Sequence, residues 1–271
     1  MARADQHNIH VAGQTSGQPI LFAHGYGCDQ NMWRHVVPRF EDRYRVVLFD
    51  HIGAGGSDLT AYDPVRYASL QGYADDVLQI CEELDLTDLI FVGHSVSAMV
   101  GVLAAEAAPE RFAALVLVGP SPCYIDDEGY VGGFSRADID ELLASVDSNY
   151  LGWSSAIAPV IMGRPDHPEL AQELEESFCR TDPDIARKFA HATFLADNRG
   201  DLPKVQTPSL VIQCTNDVIA PVAVGEYVRD QMPNATMTLL DATGHCPHLS
   251  APGETADAIE RFLGSVLPAG R

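Results

Sequence analysis

The chain has 271 residues, of which 17 are basic and 38 acidic, giving a formal net charge of −21. With 46% hydrophobic and 20% charged residues it is not a disordered chain, and it can bury one large core without metal or disulfide staples. So acidic a protein repels phosphate backbones and anionic lipid, which disfavours nucleic-acid and membrane partners.

Short runs rich in Val, Ile, Leu and Phe, ended by Gly or Asp, read as buried strands at Pro19–Ala23, 45–49, 88–92 and 114–118. Residues 73–84 and 96–107 carry helical spacing between them. Repeated strand–helix units imply a parallel sheet with right-handed crossovers. From 125 to 200 no strand is expected. Helical segments at 136–146, 150–161, 168–179 and 183–196 fill this stretch, which holds 15 acidic and 6 basic residues. The sheet pattern then returns, with strands at 209–214 and 236–240 and helices at 222–231 and 254–267. The expected organisation is therefore a core from residues 1–124 and 201–271, interrupted by a helical cap at 125–200.

The strongest local signal is Gly93-His94-Ser95-Val96-Ser97, which leaves an apolar strand and opens a helix. A nucleophile elbow requires that context: a sharp strand-to-helix turn lifts the Ser95 hydroxyl above the sheet edge. The motif departs from G-x-S-x-G at its last position, where Ser97 is still small. A nucleophilic serine needs a base and a group to orient the base, which in the α/β-hydrolase order follow as acid and then His. Asp217 and His245 each stand just past a strand, at the end where open α/β sheets place their sites. Asp201 and Asp241 are rival acids; Asp241 is too close in sequence to His245 and reads as a strand-end turn residue. His248 is a rival base that reads as a capping or supporting histidine. His245-x-x-His248 could start a metal site, but no further His, Cys or carboxylate completes one in the sequence. His24-Gly25-Tyr26-Gly27 follows the first strand and can aim the Tyr26 N–H, with that of Val96, at a developing oxyanion. Gly53-Ala54-Gly55-Gly56-Ser57-Asp58 lacks dinucleotide-loop spacing and reads as a structural turn. In the cap, Phe134, Trp153, Ile157, Phe178 and Phe194 are candidates for a hydrophobic pocket wall.

Several motifs together carry a resemblance that reaches beyond the fold: residues 24–33 from His24 to Trp33, Gly93 to Gly101, Gly119-Pro120-Ser121-Pro122-Cys123-Tyr124, Gly244-His245-Cys246-Pro247-His248 and, in the cap, Phe178-Cys179-Arg180-Thr181-Asp182-Pro183. The sequence resembles the RsbQ-like α/β-hydrolases of bacterial stress signalling and the plant karrikin- and strigolactone-receptor hydrolases, over roughly residues 7–267. The resemblance implies an α/β-hydrolase fold, a mostly parallel sheet flanked by helices, with a four-helix cap. It also implies a catalytic triad of Ser95, His245 and Asp217 under that cap, without cofactor or metal. An enclosed pocket for a small hydrophobic molecule is implied as well, and Tyr124 and Ile219 join its wall. Tyr26 stands where relatives commonly have Phe, and Ile157 where the plant receptors carry an aromatic.

Two functions follow as expectations. One is a serine hydrolase of a small ester- or lactone-like compound. The other is a ligand-sensing signalling protein that acts through a partner, which the RsbQ-like family implies to be a sensor phosphatase. The six cysteines are scattered without a C-x-x-C pair, the longest apolar stretches (98–105 and 112–118) are far too short to span a bilayer, and Met1 to His7 hold no signal-peptide core. The expected location is the cytoplasm.

Overall fold

The computed structural model describes residues 3–267. The ends assigned to the core, residues 1–2 and 268–271, and the first two residues of the N-terminus read for a signal peptide lie outside them. In chain order the elements begin with β1 (His10–Gly13), β2 (Pro19–Ala23), β3 (Arg45–Leu48), α1 (Leu70–Glu83), β4 (Leu89–His94), α2 (Val96–Ala107) and β5 (Phe112–Val118). Four helices follow without a sheet strand: α3 (Arg136–Ser148), α4 (Tyr150–Met162), α5 (Pro168–Arg180) and α6 (Pro183–Phe194). The chain then adds β6 (Ser209–Asn216), α7 (Val222–Gln231), β7 (Ala235–Thr243), the single turn α8 (Pro247–Ser250) and α9 (Pro252–Val266).

The strands form one seven-stranded sheet in the order β1-β3-β2-β4-β5-β6-β7, parallel throughout except for the antiparallel β1–β3 pair at one edge. The central strands are buried on both faces, which is why they read as unbroken apolar runs rather than as alternating ones. Alternate residues serve two cores. Leu21, Phe91 and Leu115 point to the side of α1, α2 and the cap, whereas Ile20, Ile90 and Val116 meet Trp33, Phe40 and the Ile259–Phe262 face of α9.

The helices of 125–200 start where local chemistry starts them. Ser135 and Asp138 form a reciprocal capping box on α3, and the Asn149 side chain accepts from the Gly152 N–H at the head of α4. Pro168 and Pro183 occupy first-turn positions of α5 and α6, and Asp182 accepts from Asp184 and Ile185. α4 stops at Gly163, whose φ of +61° is the left-handed C-cap conformation.

Three expectations are corrected here. β1 was not anticipated; its four residues lie mostly exposed at the sheet edge and carry no buried apolar run. Asp241 is not a turn residue: β7 continues to Thr243 and Asp241 is an exposed position within it. α1 begins at Leu70, three residues before its expected start, directly behind Ser69. No helix among the described residues is long and apolar enough to cross a membrane.

Candidate active site

Ser95 sits between β4 and α2 with φ +56° and ψ −122°, a conformation that costs a non-glycine residue energy and is held by its surroundings. The surroundings require small neighbours. A Cβ on Gly93 would lie 2.5 Å from the Ser97 carbonyl oxygen, and one on Gly101 would lie 2.4 Å from the Phe91 ring. The Ser95 N–H is spent on the Val118 carbonyl at 2.8 Å, which pins the turn to β5. Val96 is the first residue of α2, so its N–H has no acceptor within the helix.

The structure brings the three sequence-separated candidates together at the carboxyl ends of β4, β6 and β7. His245 Nε2 lies 2.8 Å from Ser95 Oγ, and His245 Nδ1 lies 2.7 Å from Asp217 Oδ2. The remaining oxygen of Asp217 accepts from the Ile219 N–H at 2.8 Å and the Ala220 N–H at 3.1 Å. All three residues are buried. The carboxylate is thus fixed by the backbone on one side and directed at the imidazole on the other. With Nδ1 donating to Asp217, Nε2 is left as an acceptor for the Ser95 hydroxyl. Asp241 does not enter this arrangement, and Asp201 is engaged elsewhere, with Lys204 and Asn198.

The Tyr26 turn approaches Ser95 closely because Gly25 lacks a side chain: a Cβ there would lie 2.5 Å from His94 Nδ1 and 3.3 Å from Ser95 Cβ. Ser97, the position that departs from the G-x-S-x-G pattern, braces the same turn. Its hydroxyl donates to the His24 carbonyl, so His51 Nε2, 2.8 Å away, must be the N–H that donates to Ser97. His24 Nε2 in turn accepts from the His51 backbone N–H at 3.0 Å, which leaves its Nδ1 to donate to the Gly25 carbonyl. A chain of hydrogen bonds therefore runs from α2 to the backbone just before Tyr26. Burial pushes His51 well below the usual histidine range, so its ring is neutral.

Behind His245, the His94 ring donates from Nε2 to the His245 carbonyl at 2.8 Å and packs 4.4 Å from the His248 ring, which lies 4.6 Å from Trp33. His248 caps nothing: it is fully buried, and neither ring nitrogen has a partner. Burial, helped by nearby His245 and Arg34, pushes it down to about 3. His94 and Cys246 offer donor atoms that lie with those of His248 within 4.8 Å of one another, a grouping that does not include His245. One of the His94 nitrogens is already committed to the His245 carbonyl.

Ser95 and His245 open onto a cavity of about 70 Å³. Every expected wall residue borders it: Tyr124, Phe134, Trp153, Ile157, Phe178, Phe194 and Ile219. The ring of Tyr26 borders it as well and meets Trp153, Phe178, Phe189 and Phe194 at centroid distances of 5.6–6.1 Å. Burial pushes the Tyr124 phenol up to about 12, so it is a neutral hydroxyl in the wall of the cavity. Sequence reasoning missed Cys28, Leu142, Ile161, Leu174, Thr193 and Cys246 in this wall. Leu174 could have been found from the buried stripe of its helix; the others carry no such signal. A larger depression of about 910 Å³ lies between α4 and α5, but it contains none of the residues around Ser95.

The cap is tied to this machinery at four points. The Tyr26 hydroxyl donates to the Ala186 carbonyl of α6 at 3.0 Å, and the His245 N–H donates to the Ile161 carbonyl of α4 at 2.8 Å. Arg180 pairs with the buried Asp29 at 2.9 Å, and Arg34 forms a two-pronged pair with Glu173. Gly244 permits the second contact, because a Cβ there would lie 2.0 Å from the Met162 carbonyl oxygen.

A fold of this topology, with a serine at the β4–α2 elbow and an acid and a histidine behind later strands, defines an α/β hydrolase. The model of the Alpha/beta hydrolase family matches residues 20–258, and the chain belongs to that family. It is 41% identical to a probable esterase of Oryza sativa subsp. japonica and 40% identical to the karrikin insensitive 2 receptor CA of Petunia hybrida, in each case over 96% of both chains. Among solved structures it is similar to the hydrolase olei00960 of Oleispira antarctica, with a TM-score of 0.93, 40% identity and 96% of each chain covered. The kinship with plant receptor hydrolases read from the motifs is therefore borne out.

Proposed function

We propose that the protein is a serine hydrolase of compact, mostly apolar carboxylic esters or lactones. The observation that carries this reading is the continuous Asp217–His245–Ser95 hydrogen-bonded line, ending at a small, mostly apolar cavity. The name of the Oryza relative, a probable esterase, points to the same bond class. In the reaction, Ser95 Oγ attacks the substrate carbonyl carbon while its proton passes to His245 Nε2. The carbonyl oxygen becomes an oxyanion that accepts from the N–H groups of Tyr26 and Val96. Asp217 holds the tautomer and stabilises the imidazolium. The tetrahedral species collapses, its C–O bond to the leaving group breaks, and His245 protonates the departing alkoxide. Water then enters, gives a proton to His245 and attacks the acyl carbon. The acid leaves as the proton returns to Ser95 Oγ. The test is hydrolysis of p-nitrophenyl acetate by Ser95→Ala: loss of about 10⁴–10⁶ in rate with an unchanged circular dichroism spectrum is expected, and wild-type activity would end the proposal.

A second reading rests on the cap contacts. His245 is bonded to α4 and the Tyr26 hydroxyl to α6, so direct hydrogen bonds join the residues around the cavity to the cap. In this reading the protein senses a small ligand and presents its cap to a signalling partner, such as a sensor phosphatase, and the Petunia relative is named a receptor. Among the acidic residues of the cap, Glu173 is paired with Arg34. Recovery of such a phosphatase on the wild-type protein, and its loss when other cap acids are reversed, supports this reading; rapid turnover of a cell metabolite with no specific protein recovered favours the metabolic one.

A further inference from the structure

The wall of the active-site cavity is nearly all carbon, so each of its polar atoms needs an explanation. The triad accounts for Ser95 and His245, and the Tyr26 hydroxyl is used by the Ala186 carbonyl. Two buried polar atoms without any hydrogen-bond partner belong to residues bordering the cavity: His94 Nδ1 and Thr193 Oγ1. The first is covered by backbone, since a Cβ on Gly25 would lie 2.5 Å from it. Thr193 remains.

Thr193 lies in the last turn of α6, beside Phe194, and is 2% exposed. A helical serine or threonine with nothing else to bind returns its hydroxyl to the carbonyl one turn back. This chain does so elsewhere: Ser154 donates to the Tyr150 carbonyl at 2.7 Å, and Thr255 to the Ala251 carbonyl at 2.8 Å. Thr193 does not, and its hydroxyl is left unsatisfied at a position that valine, its near isostere, would fill without a polar group. A buried hydroxyl without a partner destabilises the empty protein, and a site built around such a group discriminates strongly in favour of a ligand that satisfies it.

We propose that Thr193 is a specificity residue, whose hydroxyl donates a hydrogen bond to an oxygen carried by the substrate in addition to its scissile carboxyl group. The substrate class is then narrower than compact apolar esters: it is compact esters or lactones bearing an ether, hydroxyl or keto oxygen. This inference rests on the hydrolase reading above.

The experiment uses isosteric pairs of p-nitrophenyl esters that differ by one oxygen for one methylene: methoxyacetate against butyrate, and 3-methoxypropanoate against pentanoate. Values of kcat/KM are measured for the wild type, Thr193→Val and Thr193→Ser. Dividing the oxygen-to-carbon ratio of the wild type by that of Thr193→Val cancels the intrinsic reactivity of the esters. A quotient of about five- to tenfold is expected in at least one pair, the factor that one neutral hydrogen bond supplies, with Thr193→Ser keeping most of it. Thermal melting of Thr193→Val should occur at or above the wild-type temperature, since an unsatisfied hydroxyl is removed. A quotient near one in both pairs overturns the role of Thr193, as does a strongly destabilised Thr193→Val, which would reveal a structural hydrogen bond. Failure of the hydrolase reading is distinct: the wild type would then cleave none of the four esters in a Ser95-dependent manner.

Discussion

Replacing Asp217 with Asn changes one atom of the carboxylate and reverses the proton logic of the site. Two backbone N–H groups, from Ile219 and Ala220, point at Asp217 Oδ1, so an asparagine must place its amide oxygen there. Its NH₂ group then faces His245 Nδ1, where Asp217 Oδ2 stands at 2.7 Å. A donor in that position forces Nδ1 to be the acceptor and puts the imidazole proton on Nε2, aimed at Ser95. His245 can no longer take the serine proton in its resting tautomer, and an imidazolium formed during the reaction loses its counter-charge. The expected loss is about 10⁴ in kcat/KM, or about 5.5 kcal/mol of transition-state stabilisation, with little change in stability because shape and backbone contacts are kept. The assay is p-nitrophenyl acetate hydrolysis beside a urea unfolding curve, with Asp241→Asn as the control. A loss of less than tenfold in Asp217→Asn, or a 10⁴-fold loss in Asp241→Asn, would refute the assignment of the acid.

Further outcomes follow from the same geometry. Ser97→Ala cuts the hydrogen-bonded chain between α2 and the His24 carbonyl and should lower kcat by about ten- to a hundredfold with KM little changed, as expected for a misplaced oxyanion donor; an unchanged kcat would show that the Tyr26 turn needs no brace. Trp153→Ala enlarges the cavity and should shift preference from acetyl toward longer acyl groups, whereas a wild type that readily cleaves long-chain triglycerides contradicts an enclosed pocket. His248 is held down to about 3 by burial, so between pH 7 and pH 5 only the unfolded chain takes up this proton. Stability therefore falls with pH, by about 2 kcal/mol from this group over that window. His51 and His94, also pushed down by burial, act in the same direction. Urea unfolding at pH 7, 6 and 5 measures the loss, and equal stability at pH 7 and pH 5 would show that these rings are not buried neutral.

The parts of this protein that were legible in the sequence are those fixed by local pattern. Parallel strands buried on both faces gave unbroken apolar runs. The elbow gave a small–x–Ser–x–small motif between a strand and a helix. The cap read as a run of helical segments with no strand between them, and the structure places Ser135, Asn149, Pro168 and Asp182 at their starts. Asp217 and His245 could be placed because each stands just beyond a strand, in the order the elbow requires. What was not legible depends on segments distant in the chain. The exposed edge strand at 10–13 lacks the apolar run that marked the others. The stack of Trp33, His248 and His94 joins three separate stretches, and in sequence His248 resembles an ordinary polar residue. Thr193 was passed over because its significance lies in a bond it does not make.

The most direct test of the central claim is covalent trapping of the nucleophile. Incubation with a small alkyl fluorophosphonate should add a single phosphonyl group, mapped by peptide mass spectrometry to Ser95, with activity lost in proportion to labelling. His245→Ala should label far more slowly, and Ser95→Ala not at all. Labelling of another residue, or full esterase activity in a protein whose Ser95 is quantitatively modified, would contradict the account.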